Sequence, residues 1–283
     1  MKNLFNIIAL CLLLPTISNS QYLEIGAIGG FSTYSGDLNP TTQKMSHGDF
    51  RYSVGGFLRY NFNDYFTAKL GVAAGRLSAR DYDSDDLGRK ARNLQFKSVF
   101  VESALTLEYN ILGYDPIFMT KRISPYIFAG IGMVNFNPKA LHNGEWVELQ
   151  PLHTEGQGLA EFPERKPYKK VAIAFPFGLG LKVALTDRIN IGFEAGLRKT
   201  TTDYLDDVST TYVADDIMNE RYGSVVAHLA NPSGTLKETG ATRGNAEYKD
   251  WYAIGGLTIS YNLSGFTNSY GKRRKRPMGC PTF

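Results

Sequence analysis

Between Val171 and Leu185 the chain alternates without a break. Val171, Ile173, Phe175, Phe177, Leu179, Leu181, Val183 and Leu185 are apolar and bulky, and Ala172, Ala174, Pro176, Gly178, Gly180, Lys182 and Ala184 between them are small or polar. Successive side chains of a strand point to opposite faces, so this period of two predicts a strand with one wholly apolar face. The run exceeds the about 5–6 residues usual in soluble sheets and the about 9–11 tilted residues that cross a bilayer. Its reverse face, small and carrying one charge, suits the narrow polar interior of a membrane barrel. Taken alone, the segment also fits an edge-to-core strand of a soluble all-β protein.

The same alternation returns along the chain. Residues 21–34 set Leu23, Ile25, Ala27, Gly29 and Phe31 on one side, and residues 51–62 set Val54, Leu58, Tyr60 and Phe62. Segments 65–77, 94–110, 123–136, 189–198 and 248–263 follow, with Gly130 and Gly132 leaving the inward face of the 123–136 strand ambiguous. The connections are a polar loop at 35–50, a two-residue turn at Asn63-Asp64, a charged loop at 81–93, a middling link at 111–122, a long excursion at 137–169, a tight turn at Thr186-Asp187-Arg188 and the longest loop at 201–247. Long and short connections thus alternate around an even number of strands. That order predicts an all-β fold: an eight-stranded antiparallel transmembrane β-barrel in outer-membrane lipid, with four long external loops and both termini in the periplasm. The 17 Tyr and 17 Phe suit interfacial girdles.

The first twenty residues read as a secretory signal peptide. Lys2 supplies the basic start, Leu4 to Leu14 the apolar run, and Ser18-Asn19-Ser20 a small-x-small cleavage site before Gln21. The organisation is therefore 1–20 signal peptide, 21–263 barrel and 264–283 basic periplasmic tail. Cys11 lies within the signal, which leaves Cys280 as the only thiol of the mature chain.

The predicted lumen faces carry Glu24, Arg59, Lys69, Glu102, Glu108, Lys182, Glu194 and Arg198. An eight-stranded barrel is just wide enough for side chains to fill it, so four acids and four bases there should pair. A selective conduit is one reading of that set. An ion-paired core without a sizeable pore is the expected one. The histidines His47, His142, His153 and His228 all fall in predicted loops, and no nucleophile or paired His stands at a catalytic spacing. No enzymatic activity and no cofactor is expected. Asp203, Asp206, Asp207, Asp215 and Asp216 cluster in the longest loop without the ligand spacing of a calcium loop, so they predict loop contacts rather than a metal site. Within the same loop, residues 217–230 predict a short helix with Met218, Val225, Val226 and Leu229 on one face.

Past Leu263 the chain carries Lys272-Arg273-Arg274-Lys275-Arg276 and then Cys280. Nucleic acid is excluded as a partner by the compartment. A solvated end and a docking segment for a periplasmic partner both remain, the second favoured by an odd thiol available for an intermolecular disulfide.

Three stretches, Asp203-Tyr-Leu-Asp-Asp-Val-Ser-Thr-Thr-Tyr212, Arg243-Gly-Asn245 leading to Asp250-Trp-Tyr252, and the terminal Cys280-Pro-Thr-Phe283, together with Ser124-Pro-Tyr126, carry a resemblance. Over the whole mature chain the sequence resembles the PorG-like outer-membrane barrels of Bacteroidetes, components of the type IX secretion system. The resemblance implies a non-exporting barrel that attaches from below to a ring of PorK- and PorN-like proteins. It would place the basic run and Cys280 on the ring side. An OmpA- or OmpX-like surface barrel that binds ligands or host surfaces through its external loops is the alternative.

Overall fold

A computed structural model describes residues 22–38 and 50–263. The strands are β1 (Tyr22–Ser35), β2 (Arg51–Asn61), β3 (Phe66–Arg80), β4 (Gln95–Asn110), β5 (Ile123–His142), β6 (Glu145–Glu148), β7 (Val171–Ala184), β8 (Ile189–Thr200) and β9 (Trp251–Asn262). They pair in the order β4-β3-β2-β1-β9-β8-β7-β5-β6, and β4 also pairs with β5, which closes the sheet. β6 is a short flap beyond the closed wall, so the barrel proper has eight strands, all antiparallel.

The period of two becomes two surfaces. Along β4, Val99, Val101, Leu105, Leu107 and Tyr109 are exposed, and Phe100, Glu102, Thr106 and Glu108 between them are buried. β7 does the same, with Ile173, Phe175, Phe177, Leu179 and Leu181 outside. The exterior is an apolar belt, and water is no solvent for so much contiguous hydrocarbon. Among the described residues no helix is long and apolar enough to cross a membrane, so any crossing is made by the strands. The inward face of β5, ambiguous from its glycines, holds Tyr126, Phe128, Val134 and Phe136, all buried. Phe128 fits because Gly178 and Gly196, paired across β7 and β8, lie under its ring. A Cβ built at either would come within 2.8 or 2.6 Å of Phe128 Cζ.

The two ends of the barrel differ. At one end the β2–β3 and β7–β8 links are four-residue turns rather than the shorter ones expected, each closed by its own side chain. Asn63 Oδ1 accepts from Tyr65 N at 2.8 Å and Phe66 N at 2.9 Å, and Thr186 Oγ1 accepts from Ile189 N at 2.9 Å. The 111–122 link tucks inward at this end: Lys121 Nζ pairs with Asp64 at 2.8 Å, and Tyr114 is 1% exposed beneath the lumen.

At the other end the long loops are ordered. The charged 81–93 loop contains a 3-10 turn (Asp81–Asp83) and the helix α1 (Leu87–Arg92), capped by Asp86, which accepts from Arg89 N at 2.9 Å. The expected excursion at 137–169 begins instead as strand. β5 continues to His142 and folds back as β6, because Lys139 meets Glu148 at 3.1 Å and Ala140 to His142 find partners in Glu145 to Val147. The helix expected over 217–230 is two helices, α2 (Asp215–Tyr222) and α3 (Ser224–Ala230), broken at Gly223 with φ of 87°. The break turns Val225 outward, to 46% exposed, while Met218, Val226 and Leu229 stay buried. The last strand starts at Trp251 rather than Tyr248, whose ring is 72% exposed in the loop.

Candidate functional site: the filled lumen and the loop cap

Glu24, Arg59, Lys69, Glu102, Glu108, Lys182, Glu194 and Arg198 all point into the barrel, each 7% exposed or less. Strand register brings them together. Arg59 lies opposite Glu24 on β1 and Lys69 on β3. Its guanidinium donates to Glu24 Oε1 at 3.0 Å and to Glu108 Oε1 at 3.1 Å. Glu108 also meets Lys182 at 2.6 Å and Lys69 at 3.5 Å. Lys69 reaches Glu194 at 2.5 Å, and the Tyr126 hydroxyl donates to the same carboxylate at 2.7 Å. Seven members of this cluster thus span the lumen from wall to wall. Toward the loop end Arg198 and Glu102 form a separate pair at 3.3 Å, with the Tyr252 hydroxyl also on Glu102. Between the two groups lies a void of about 40 Å³, edged by Phe57, Lys69, Glu102, Phe128 and Arg198. That is room for a water or two, not for a solute path.

Above the upper pair the lumen turns apolar. Tyr34, Phe96, Phe100, Phe136 and Tyr252 pack with Leu77 and Ile254 from the wall and with Leu38, Leu205 and Val208 from the loops. The loops are fastened over this layer by buried charge. Arg243, fully enclosed, donates to Glu155 Oε1 at 2.9 Å and to the Asp207 carbonyl at 2.6 Å. Glu155 further accepts from Ser209 N at 2.9 Å, Thr210 N at 3.1 Å and the Thr210 hydroxyl at 2.7 Å. One carboxylate therefore ties together residues 155, 209–210 and 243. Arg165 adds a second tie, donating to the Glu155 carbonyl at 2.8 Å and to Thr211 Oγ1 at 2.7 Å.

The acidic run of the longest loop is split. Asp203, Asp206 and Asp207 are buried, whereas Asp215 serves α2, where it takes bonds from Asn231 Nδ2 and Lys237 N, and Asp216 is exposed. No group of metal-ligating side chains arranged to hold an ion occurs among the described residues. Asp206 and Asp250 both receive the Tyr34 hydroxyl at 2.7 Å. One hydroxyl has one proton to give, so one of these contacts has a protonated carboxyl as its donor. In keeping with that, burial holds both carboxyls well above the usual range, Asp206 raised further by Asp37 and Asp250 by Asp206. Burial likewise pushes Asp203 up to about 7, and Asp207 up to about 6 against the pull of Arg243.

Of the loop histidines, the His142 and His228 rings lie 5.2 Å apart, and His153 Nδ1 contacts the Gln157 carbonyl. His47 lies outside the described residues, as do the signal-cleavage pair Ser20 and Gln21 and the tail residues Lys272, Arg273, Arg274, Lys275, Arg276 and Cys280. Sequence reasoning missed Glu155, Arg243, Arg165 and Tyr34 as cap residues. The one available signal was that the fragments 203–212 and 243–252, far apart in sequence, are both dense in charge and aromatics.

A closed antiparallel barrel of eight strands with an apolar belt and a filled polar interior has the architecture of the small outer-membrane barrels. The chain belongs to the DUF6089 family, described as a domain of unknown function, whose model matches residues 2–228. No curated protein matches the chain. Among solved structures it is similar to Ail, the attachment invasion locus protein of Yersinia pestis, solved with the heparin analogue sucrose octasulfate, at 10% identity over 86% of this chain and 99% of that one, with a TM-score of 0.40. It is also similar to Neisserial surface protein A, at 9% identity over 84% and 96% with a TM-score of 0.41. A third likeness is to OprG of Pseudomonas aeruginosa, at 12% identity over 86% and 97% with a TM-score of 0.38.

Proposed function

We propose that this protein is a non-conducting, non-enzymatic outer-membrane β-barrel whose fixed loop cap, facing outward, is its working surface. The observation that carries the reading is the wall-to-wall ion cluster on Glu108, Arg59, Lys69 and Glu194, with Tyr114 closing one end and the loop cap the other. A barrel built to pass solutes would leave that section open. One built to hold a surface in place has no use for a channel, and its loops are expected to be stiff. Long loops at one end and tight turns at the other support termini in the periplasm. Reconstitution into planar bilayers tests the reading: no stepwise conductance is expected, and porin-like steps would overturn it.

A second reading, that of a type IX secretion component anchoring a PorK/PorN-type ring, rests on the sequence fragments quoted above and on the basic run 272–276 with Cys280. The two readings differ in which end matters. Truncation after Leu263 abolishes secretion under the second and is harmless under the first, and replacing the loops does the reverse. A Cys280-dependent band on non-reducing gels, lost in Cys280→Ser, would further favour the ring.

A further inference from the structure

Within the loop cap, beside the Arg243–Glu155 tie, lies an open cleft of about 260 Å³, and a role for it rests on the reading of that cap as the working surface. Its lining includes four cations, Arg89, Arg92, Lys237 and Arg243, against one carboxylate, Asp86. Three of these five charges are already engaged. Arg92 forks onto Asp81 with both bonds at 2.7 Å, Arg243 holds Glu155 at 2.9 Å, and Asp86 caps α1. Arg89 and Lys237 have no carboxylate within ion-pair distance among the described residues. The Lys237 ammonium lies 5.8 Å from the centre of the Tyr212 ring, which also lines the cleft. Tyr212 is only 3% exposed, yet its hydroxyl has no hydrogen-bond partner among the described residues, and neither does Arg89 Nη1. Both atoms are enclosed behind the cleft wall, and the open charge of the cleft is carried by the rest of the Arg89 guanidinium and by Lys237.

We propose that this cleft binds a tetrahedral oxyanion, the phosphate or sulfate ester of a sugar. Arg89 supplies a guanidinium donor and Lys237 a point charge, neither neutralised by a carboxylate, a pair that suits an oxyanion. The cleft exceeds the volume of a bare phosphate, which leaves room for the sugar that carries it, and Gly88, Ala91 and Thr242 complete the lining.

The test is calorimetric titration of the full chain in detergent with glucose 6-phosphate, with inorganic phosphate and with glucose. A parallel arm measures capture of vesicles that carry or lack a phosphorylated glycolipid. Saturable binding of the phosphate ester with none of glucose is expected, weakened at least tenfold by Arg89→Gln or Lys237→Gln. Arg122→Gln, at the far end of the barrel, should change nothing. Binding of the soluble ester would identify a free ligand, and binding confined to glycolipid vesicles a lipid-borne one. Either supports the site, provided that the cleft variants reduce it. Heat-modified gel mobility confirms that each variant still forms the barrel. Absence of saturable binding in both arms, or binding that Arg89→Gln with Lys237→Gln leaves intact, would overturn the proposal.

Discussion

Glu108 holds the lumen cluster together in a way that no other acid does. Three cations meet it, Lys182 at 2.6 Å, Arg59 at 3.1 Å and Lys69 at 3.5 Å, whereas Glu102 is paired only with Arg198. Removing one side of a buried pair leaves a charge without compensation, at a cost of about 3–5 kcal/mol. Glu108→Gln is therefore expected to lower the unfolding midpoint in urea and detergent by much more than Glu102→Gln. Equal midpoints would show that the cluster is not organised around Glu108. The cap acids behave differently, because burial rather than pairing dominates them. Asp203 at about 7 and Asp207 at about 6 are raised above their values in the unfolded chain. A folded state that keeps protons the unfolded state has released is most stable below the unfolded pKa of about 3.9. That advantage is lost as pH rises to about 7. The cap should accordingly be tighter at pH 5 than at pH 8, and hydrogen-exchange protection over residues 201–247, taken relative to the intrinsic amide rate at each pH, reads this. Asp203→Asn should flatten the profile, and a cap that tightens toward pH 8 would contradict the assignment.

At the scale of elements, the strands were legible and the loops were not, for one physical reason. A strand between lipid and lumen must alternate, so Val171 to Leu185 announces itself whatever its neighbours are. The eight lumen charges were legible with it, since face follows from parity. Loop order has no period. Glu155 reaches Ser209, Thr210 and Arg243 across more than fifty residues, and nothing local in its surroundings marks it as a buried tie. The β5–β6 hairpin was hidden because Pro138 within it and Pro151 just beyond it read as loop. Pro138 instead occupies β5 near its outer end, and its carbonyl accepts from Leu149 N at 3.0 Å. The helix pair was misread at one residue. Gly223, with φ of 87° and ψ of 167°, sits in a region that side chains avoid at a cost of about 1–3 kcal/mol. Gly223→Ala should thus loosen α2 and α3, seen as faster proteolysis at 215–230, although a Cβ built there meets nothing within 4 Å. A variant as resistant as the parent would mean that the break is not enforced by the backbone.

Across the whole molecule, two buried charge systems are stacked along one axis, separated by the apolar layer of Tyr34, Phe96, Phe100 and Phe136. No ion pair crosses that layer among the described residues: the lumen set closes on Arg59, Lys69, Lys182 and Arg198, and the cap set on Arg92, Arg165 and Arg243. Barrel and cap should then fail separately. Arg243→Met strands Glu155 and Asp207 without their cation, and the cap is expected to open to protease between 201 and 247. The barrel wall, held by its own ladder and by the Glu108 cluster, should keep its heat-modified mobility in the same sample. Because the blockage lies in the lumen, the opened variant should still pass no current. Conductance appearing with Arg243→Met would mean that the loops, not the ion pairs, seal the barrel. Loss of the barrel itself would mean that the apolar layer couples two systems that the ion pairs leave apart.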